Sequence, residues 1–116
     1  VIVPKDVQVE RPTKRTEHRL AFATQQAQKG WRDLRATKLN ALADAWDALT
    51  RDPVRNDPTC HPLKGDLATV TVHGVEHVRR QYELPGGARL WYFVTSGAPG
   101  TVHVLDVHTH HPNATK

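Results

Sequence analysis

The chain has almost no sulfur: one cysteine, Cys60, and no methionine at any position. A single thiol excludes an internal disulfide framework and any zinc cluster built on thiolates. With no methionine at position 1, the original start is expected to lie outside the numbered chain. Apolar residues are scarce as well, at 38% hydrophobic and 6% aromatic, with a mean hydropathy of −0.58. No apolar run approaches a membrane span or the hydrophobic stretch of a secretory signal. The expectation is a soluble, cytoplasmic protein with no membrane partner. At 116 residues there is length for one domain only, able to hide roughly two thirds of its unfolded surface. Repeats and low-complexity tracts are absent.

Charge is more plentiful and unbalanced. Sixteen Lys and Arg against twelve Asp and Glu give +4 before any of eight histidines is protonated, and the pI is about 9.6. In so small a chain this favours a polyanionic partner: nucleic acid, or an acidic protein that competes with it. The histidines gather toward the C-terminus, where His103, His108, His110 and His111 fall within nine residues.

Residues 1–15 mix Pro, Lys and Arg with isolated valines and read as a flexible arm, leaving 16–116 as the single domain. Thr16 with Glu17 makes an N-cap and an acidic first turn. Leu20, Ala23, Ala27, Trp31 and Leu34 then recur at helical spacing, running through Gly30 at a cost of about 1 kcal/mol. After a break at Thr37–Lys38, a second helix carries Leu39, Leu42, Trp46 and Leu49 and stops before Pro53. Both stripes read as core, the tryptophans included. Beyond the turn-rich residues 53–62 the period becomes two. Strands are expected at 67–72, 78–84, 89–95 and 101–108, with turns at Pro85-Gly86-Gly87 and 96–100. The fold class is α+β: an N-terminal helical hairpin on one face of a small antiparallel sheet.

Strict alternation puts Arg89, Trp91 and Phe93 on one face and Leu90, Tyr92 and Val94 on the other. It sets Val102, Val104, Asp106 and His108 opposite His103, Leu105 and Val107, and Arg80, Tyr82 and Leu84 opposite Arg79, Gln81 and Glu83. Tyr92 reads as core, and His18, His73, His77 and His103 as ordinary surface or sheet residues. The side chains left over suit metal-free cleavage of RNA. That reaction takes a proton from a 2′-hydroxyl, gives one to the departing 5′-oxygen, and stabilises charge on phosphorus. Histidine can serve both proton transfers near neutrality, and arginine holds phosphate oxygens in pairs. His61 and Lys64 stand before the sheet, Arg79, Arg80 and Arg89 within it, and His108, His110 and His111 at its end. A competing reading takes those terminal histidines, with Asp106 or His103, as transition-metal ligands.

Two segments sharpen the first reading. His61-Pro62-Leu63-Lys64-Gly65 resembles the Leu-Lys-Gly turn that opens the sheet of RelE/ParE-superfamily toxins, and Arg89-Leu90-Trp91-Tyr92-Phe93-Val94 is similar to that family's Arg-x-x-Tyr-x-Val strand. The segment Val102–Val107 follows where the family has its last strand, so the likeness covers about residues 17–116. The resemblance implies a RelE-like fold and a toxin neutralised by a small acidic antitoxin, with which it forms a hetero-oligomer. It implies either endonuclease action on ribosome-bound mRNA or, as in ParE-like members, inhibition of gyrase without cleavage. In the nuclease case Arg89 matches the arginine at the scissile phosphate and Lys64 the basic turn residue. His61 stands where the YoeB branch has a carboxylate base, and His110 stands near its terminal acid. The expected tyrosine beside that acid is replaced by His111-Pro112, so the acid stays open among His108, His110 and His111. Arg79, Arg80 and Lys116 would contact the RNA backbone. No cofactor is implied.

Overall fold

The computed structural model describes residues 1–2 and 5–110. Its elements run β1 (His18–Phe22), α1 (Gln25–Thr37), α2 (Leu39–Arg51), β2 (Cys60–Pro62), a single 3₁₀ turn (Gly65–Leu67), β3 (Thr69–Val72), β4 (Val75–Val78), β5 (Arg80–Glu83), β6 (Arg89–Thr95) and β7 (Gly100–His108). Five strands form one mixed sheet in the order β1-β7-β6-β5-β2, and β3 and β4 form a separate hairpin. No helix among the described residues is long and apolar enough to cross a membrane.

The class is α+β, but the chain does not open with the helical hairpin. His18–Phe22, expected as the start of the first helix, is instead an edge strand lying parallel to β7, with Leu20 beside Val102 and Phe22 beside Val104. Five residues offer too little local preference to resist a ready-made partner edge, and sheet pairing wins. The helix begins eight residues later than Thr16 would place it. Thr24 is the true N-cap: its hydroxyl accepts from the Ala27 N–H and donates to the Leu105 carbonyl.

That start also fixes the end of the sheet. The Ala23 N–H reaches the Val104 carbonyl at 2.8 Å, after which β7 has no strand on that side. The Gln26 amide takes over: it donates to the Val107 carbonyl at 2.8 Å and accepts from the Val107 N–H at 3.0 Å. Backbone groups that would be orphaned beyond β1 are thereby satisfied by the first turn of α1. Gly30 follows on the same helix face. A Cβ there would stand 2.7 Å from Val107 Cβ and 2.8 Å from its carbonyl oxygen, so the helix rests directly on the strand.

The helix break at Lys38 and the stop at Arg51 match the sequence reading. Ala27 and Leu34 of α1 and Leu42, Ala45 and Leu49 of α2 bury against Leu90, Tyr92, Val102, Val104 and Val107 of the sheet, with Trp31 at the margin. Leu39, counted with the second stripe, is exposed. The expected strand 67–72 is shortened to β3, and it pairs with β4, which the sequence reading missed. Between them His73 and Gly74 both take positive φ, 50° and 77°, the two-residue turn that suits the twist of a hairpin. Before β1, Arg11 clasps Glu17 with both terminal nitrogens, at 3.0 and 3.1 Å. That guanidinium and the Lys14 N–H hold the Glu17 carboxyl below the usual range.

Candidate active site

Cross-strand register decides which side chains meet. On the helix-covered face, Leu90 opposes Val107, Tyr92 opposes Val104 and Val94 opposes Val102. On the open face, Arg89 opposes His108, Trp91 opposes Asp106 and Phe93 opposes His103. Both sets hold only because the register shifts by one residue between Trp91 and Tyr92, leaving Leu105 as an extra residue in β7. Strict alternation had put His103 opposite Asp106 and His108. The bulge corrects this, turning all three to the open face and both Val104 and Val107 to the core.

The same face continues into β5 and β2. Glu83 opposes Arg89, and Gln81 opposes Trp91. His61 then opposes Gln81. One row therefore reads Glu83–Arg89–His108, and the row beside it His61–Gln81–Trp91–Asp106. Directly opposed residues of an antiparallel pair hold their Cβ atoms about 5 Å apart. Arg89 and His108 are thus immediate neighbours. From strand spacing and rise, the His61 and Arg89 Cα atoms stand about 12 Å apart.

Arg89 is 8% exposed, and its Nη1 donates to Glu83 Oε2 at 3.0 Å. Its Nε is buried with no partner. The His108 ring stands edge-on to Trp91 at 4.3 Å, and its Nε2 is likewise buried and unpartnered. Burial pushes the His108 pKa below the ordinary histidine value, with Asp106 opposing more weakly. His61 is half-buried, and its Nδ1 lies 2.9 Å from the Pro62 carbonyl oxygen. A carbonyl only accepts, so Nδ1 carries the hydrogen and Nε2 of the neutral ring keeps its lone pair. Lys64 is exposed and shares a surface groove with His61, Asn56 and Asp57.

The two paired arginines part company. Arg79 lies on the open side with its guanidinium 5.9 Å from the centre of the Trp91 ring, where phosphate could reach it. Arg80 turns to the other face and is 7% exposed. Its Nε donates to the Pro53 carbonyl at 3.0 Å, and its Nη2 to the Arg55 carbonyl and to Asn56 Oδ1. An RNA contact through Arg80 is therefore withdrawn: its side chain is buried, and its Nε and Nη2 hold residues 53–56 to the sheet. Tyr92 is core as expected, donating to the Pro53 carbonyl at 2.6 Å, with its pKa raised by burial. Cys60 is fully buried, its Sγ 3.2 Å from Tyr92 Oη.

His110 is exposed two residues past the end of β7. His111 and Lys116 lie outside the described residues. Among the described residues no three His, Cys, Asp or Glu side chains are grouped closely enough to hold a metal ion; the alternative that joins His108, His110 and His111 with Asp106 or His103 includes His111, outside those residues. Sequence reasoning missed Glu83, whose carboxylate meets Arg89 only through the β5–β6 register. It also read His77 and His103 as ordinary, yet both stack on Phe93, at 4.3 and 4.4 Å between ring centres.

No protein-family model and no curated protein sequence matches the chain. A solved structure does: a YoeB/ParE toxin from Agrobacterium tumefaciens, with a TM-score of 0.59 and 20% identity, over 80% of this chain and 99% of that one. The chain has the fold of that toxin, as the Leu63-Lys64-Gly65 and Arg89–Val94 segments implied.

Proposed function

We propose that the protein is the toxin of a toxin–antitoxin pair and acts as a metal-independent endoribonuclease on mRNA at the ribosome. One observation carries the nuclease reading: a buried arginine with an unused donor stands between an imidazole positioned to accept a proton and a second imidazole able to give one. His61 Nε2 takes the proton of the 2′-hydroxyl as that oxygen attacks the adjacent phosphorus. The phosphorus–O5′ bond breaks, leaving a 2′,3′-cyclic phosphate on one fragment and a 5′-hydroxyl on the other. Arg89 and Lys64 bear the charge of the phosphorane, and Arg79 holds a neighbouring phosphate.

Of the terminal histidines, His108 is the acid this geometry favours, since it is Arg89's direct neighbour while His110 lies beyond the sheet. Burial disfavours its charged form in the free protein. An arriving phosphate anion reverses that balance by favouring imidazolium. The Glu83–Arg89 ion pair must open, or be shared, when phosphate binds. An acidic segment of the antitoxin would compete for the same cations.

The test is Arg89→Ala in a reconstituted translation reaction, with mRNA integrity followed by primer extension. Loss of this donor is expected to slow cleavage by about 10²–10³-fold, as for a single oxyanion-hole donor. Wild-type protein that leaves mRNA whole while blocking supercoiling by gyrase would instead establish the non-cleaving toxin.

A further inference from the structure

The open face carries a second feature, one row beyond Trp91. His77 of β4, Phe93 of β6 and His103 of β7 form a ladder of three flat rings. His77 lies on one side of Phe93 at 4.3 Å and 26°, and His103 on the other at 4.4 Å and 5°. Phe93 is 3% exposed, covered on both faces by imidazole. Phe93 and His103 are cross-strand partners, so the stack runs along the row, perpendicular to the strands.

The row has one more member. On the far side of His103 its partner in β1 is Ala21, an exposed residue with no ring. One face of the His103 imidazole is taken by Phe93, and the other looks over the Ala21 methyl. Strands lie about 4.8 Å apart, close to the spacing of stacked rings. The ladder therefore stops one ring short, on the strand where there is room for it. The surface that remains is rigid: the Thr95 hydroxyl lies 2.9 Å from His103 Nε2, fixing the ring. Burial, and then the charge of His77, hold His103 below the ordinary histidine pKa. A neutral imidazole stacks on a base without the cost of desolvating a cation. Arg19, one step back on the same face of β1, is exposed and paired with Thr101.

We infer that the outer face of His103, over Ala21, is a stacking shelf for one nucleobase of the single-stranded RNA, with Arg19 beside it for that nucleotide's phosphate. This rests on the nuclease reading for its choice of ligand. Phe93 is four residues from Arg89, about 13 Å along the strand. The stacked base is then a nucleotide or two from the linkage being cut, and the shelf adds affinity and base preference without touching the reacting atoms. Ring stacking accepts any base and favours purines by area.

The test uses the full chain and a fluorescent, fully 2′-O-methylated single-stranded oligoribonucleotide, which cannot be cut, with affinity read by anisotropy. Ala21→Phe fills the shelf with the protein's own ring, a change that suits an exposed strand position. It is expected to weaken binding about tenfold. His103→Ala, which leaves the gap open but removes the ring, must weaken it similarly, whereas His103→Phe keeps a flat face and keeps the affinity. Unchanged binding by a folded Ala21→Phe variant overturns the shelf while leaving cleavage by wild type intact. Equal loss from His103→Ala and His103→Phe overturns it as well. If wild type binds the probe with this pattern but never cuts mRNA, the shelf stands and the nuclease reading falls.

Discussion

Arg80 and Arg89 sit on neighbouring strands, one either side of the same sheet, at 7% and 8% exposure. Burial does not separate them; what their nitrogens touch does. Arg80 Nε and Nη2 meet neutral acceptors, among them the Pro53 and Arg55 carbonyls and Asn56 Oδ1, so its charge is dispersed into the fold. Arg89 has one partner, the half-buried Glu83 carboxylate, and an Nε with none. A buried cation held by fixed carbonyls is a structural rivet. In the proposed mechanism, a buried cation held by one movable anion, with a donor to spare, exchanges that anion for phosphate.

The comparison breaks most clearly under substitution. Arg80→Ala removes the donor contacts to Pro53, Asn56 and Tyr92 and leaves the Arg55 carbonyl without its guanidinium partner. It is expected to cost about 3 kcal/mol in urea unfolding. Arg89→Ala, which severs a single pair with a partly exposed carboxylate, is expected to cost less than about 1 kcal/mol on the same measurement. Its large effect is expected on the proposed cleavage. Equal destabilisation by both would erase the distinction and make Arg89 a second rivet.

Much of this asymmetry was hidden in the sequence. The bounds of β6 and the stop of α2 were legible, because Arg89–Thr95 is bracketed by turns and Pro53 ends a helical stripe. The matched pair Arg79-Arg80 was not, since alternation says that the two point apart but not which one meets carbonyls. The bulge at Leu105 left no mark either: an apolar residue between Val104 and Asp106 reads as ordinary alternation, and only pairing with β6 exposes the extra residue. β1 was misread for a related reason. Its strand character comes from β7, some eighty residues away, while Leu20 and Ala23 happen to continue the period of α1.

The bulge supplies the next prediction. By helix propensity alone, Gly30→Ala should stabilise α1 by about 1 kcal/mol. The new methyl would collide with Val107 Cβ and its carbonyl oxygen, both under 3 Å away. One of them belongs to the backbone, which the Gln26 amide already holds from two directions. The expected outcome is therefore a loss of about 1–3 kcal/mol, as for other overpacked sites, read by urea unfolding. A stabilised variant would mean that helix and strand separate easily, and that the face carrying His108 is less firmly set than Gln26 implies.

The smallest effect compares the open face with itself across pH. His103 and His108 both have lowered pKa values in the folded chain, chiefly through burial. The unfolded chain thus binds more protons at these two sites as pH falls through the ordinary histidine range, about 6.5. Stability must then rise with pH in that window: their contribution is complete above it and lost on acidification toward each folded value. Glu17 and Asp57, held low by Arg11 and by Thr59 respectively, add a separate loss only in the carboxylate range. Between pH 7 and 5 the melting temperature should fall by a few degrees, and the fall should shrink in a His103→Gln, His108→Gln double variant. An undiminished slope in that variant would show that neither ring is withdrawn from water. The open face would then lose the low-dielectric setting on which the proposed phosphate contacts of Arg89 and His108 depend.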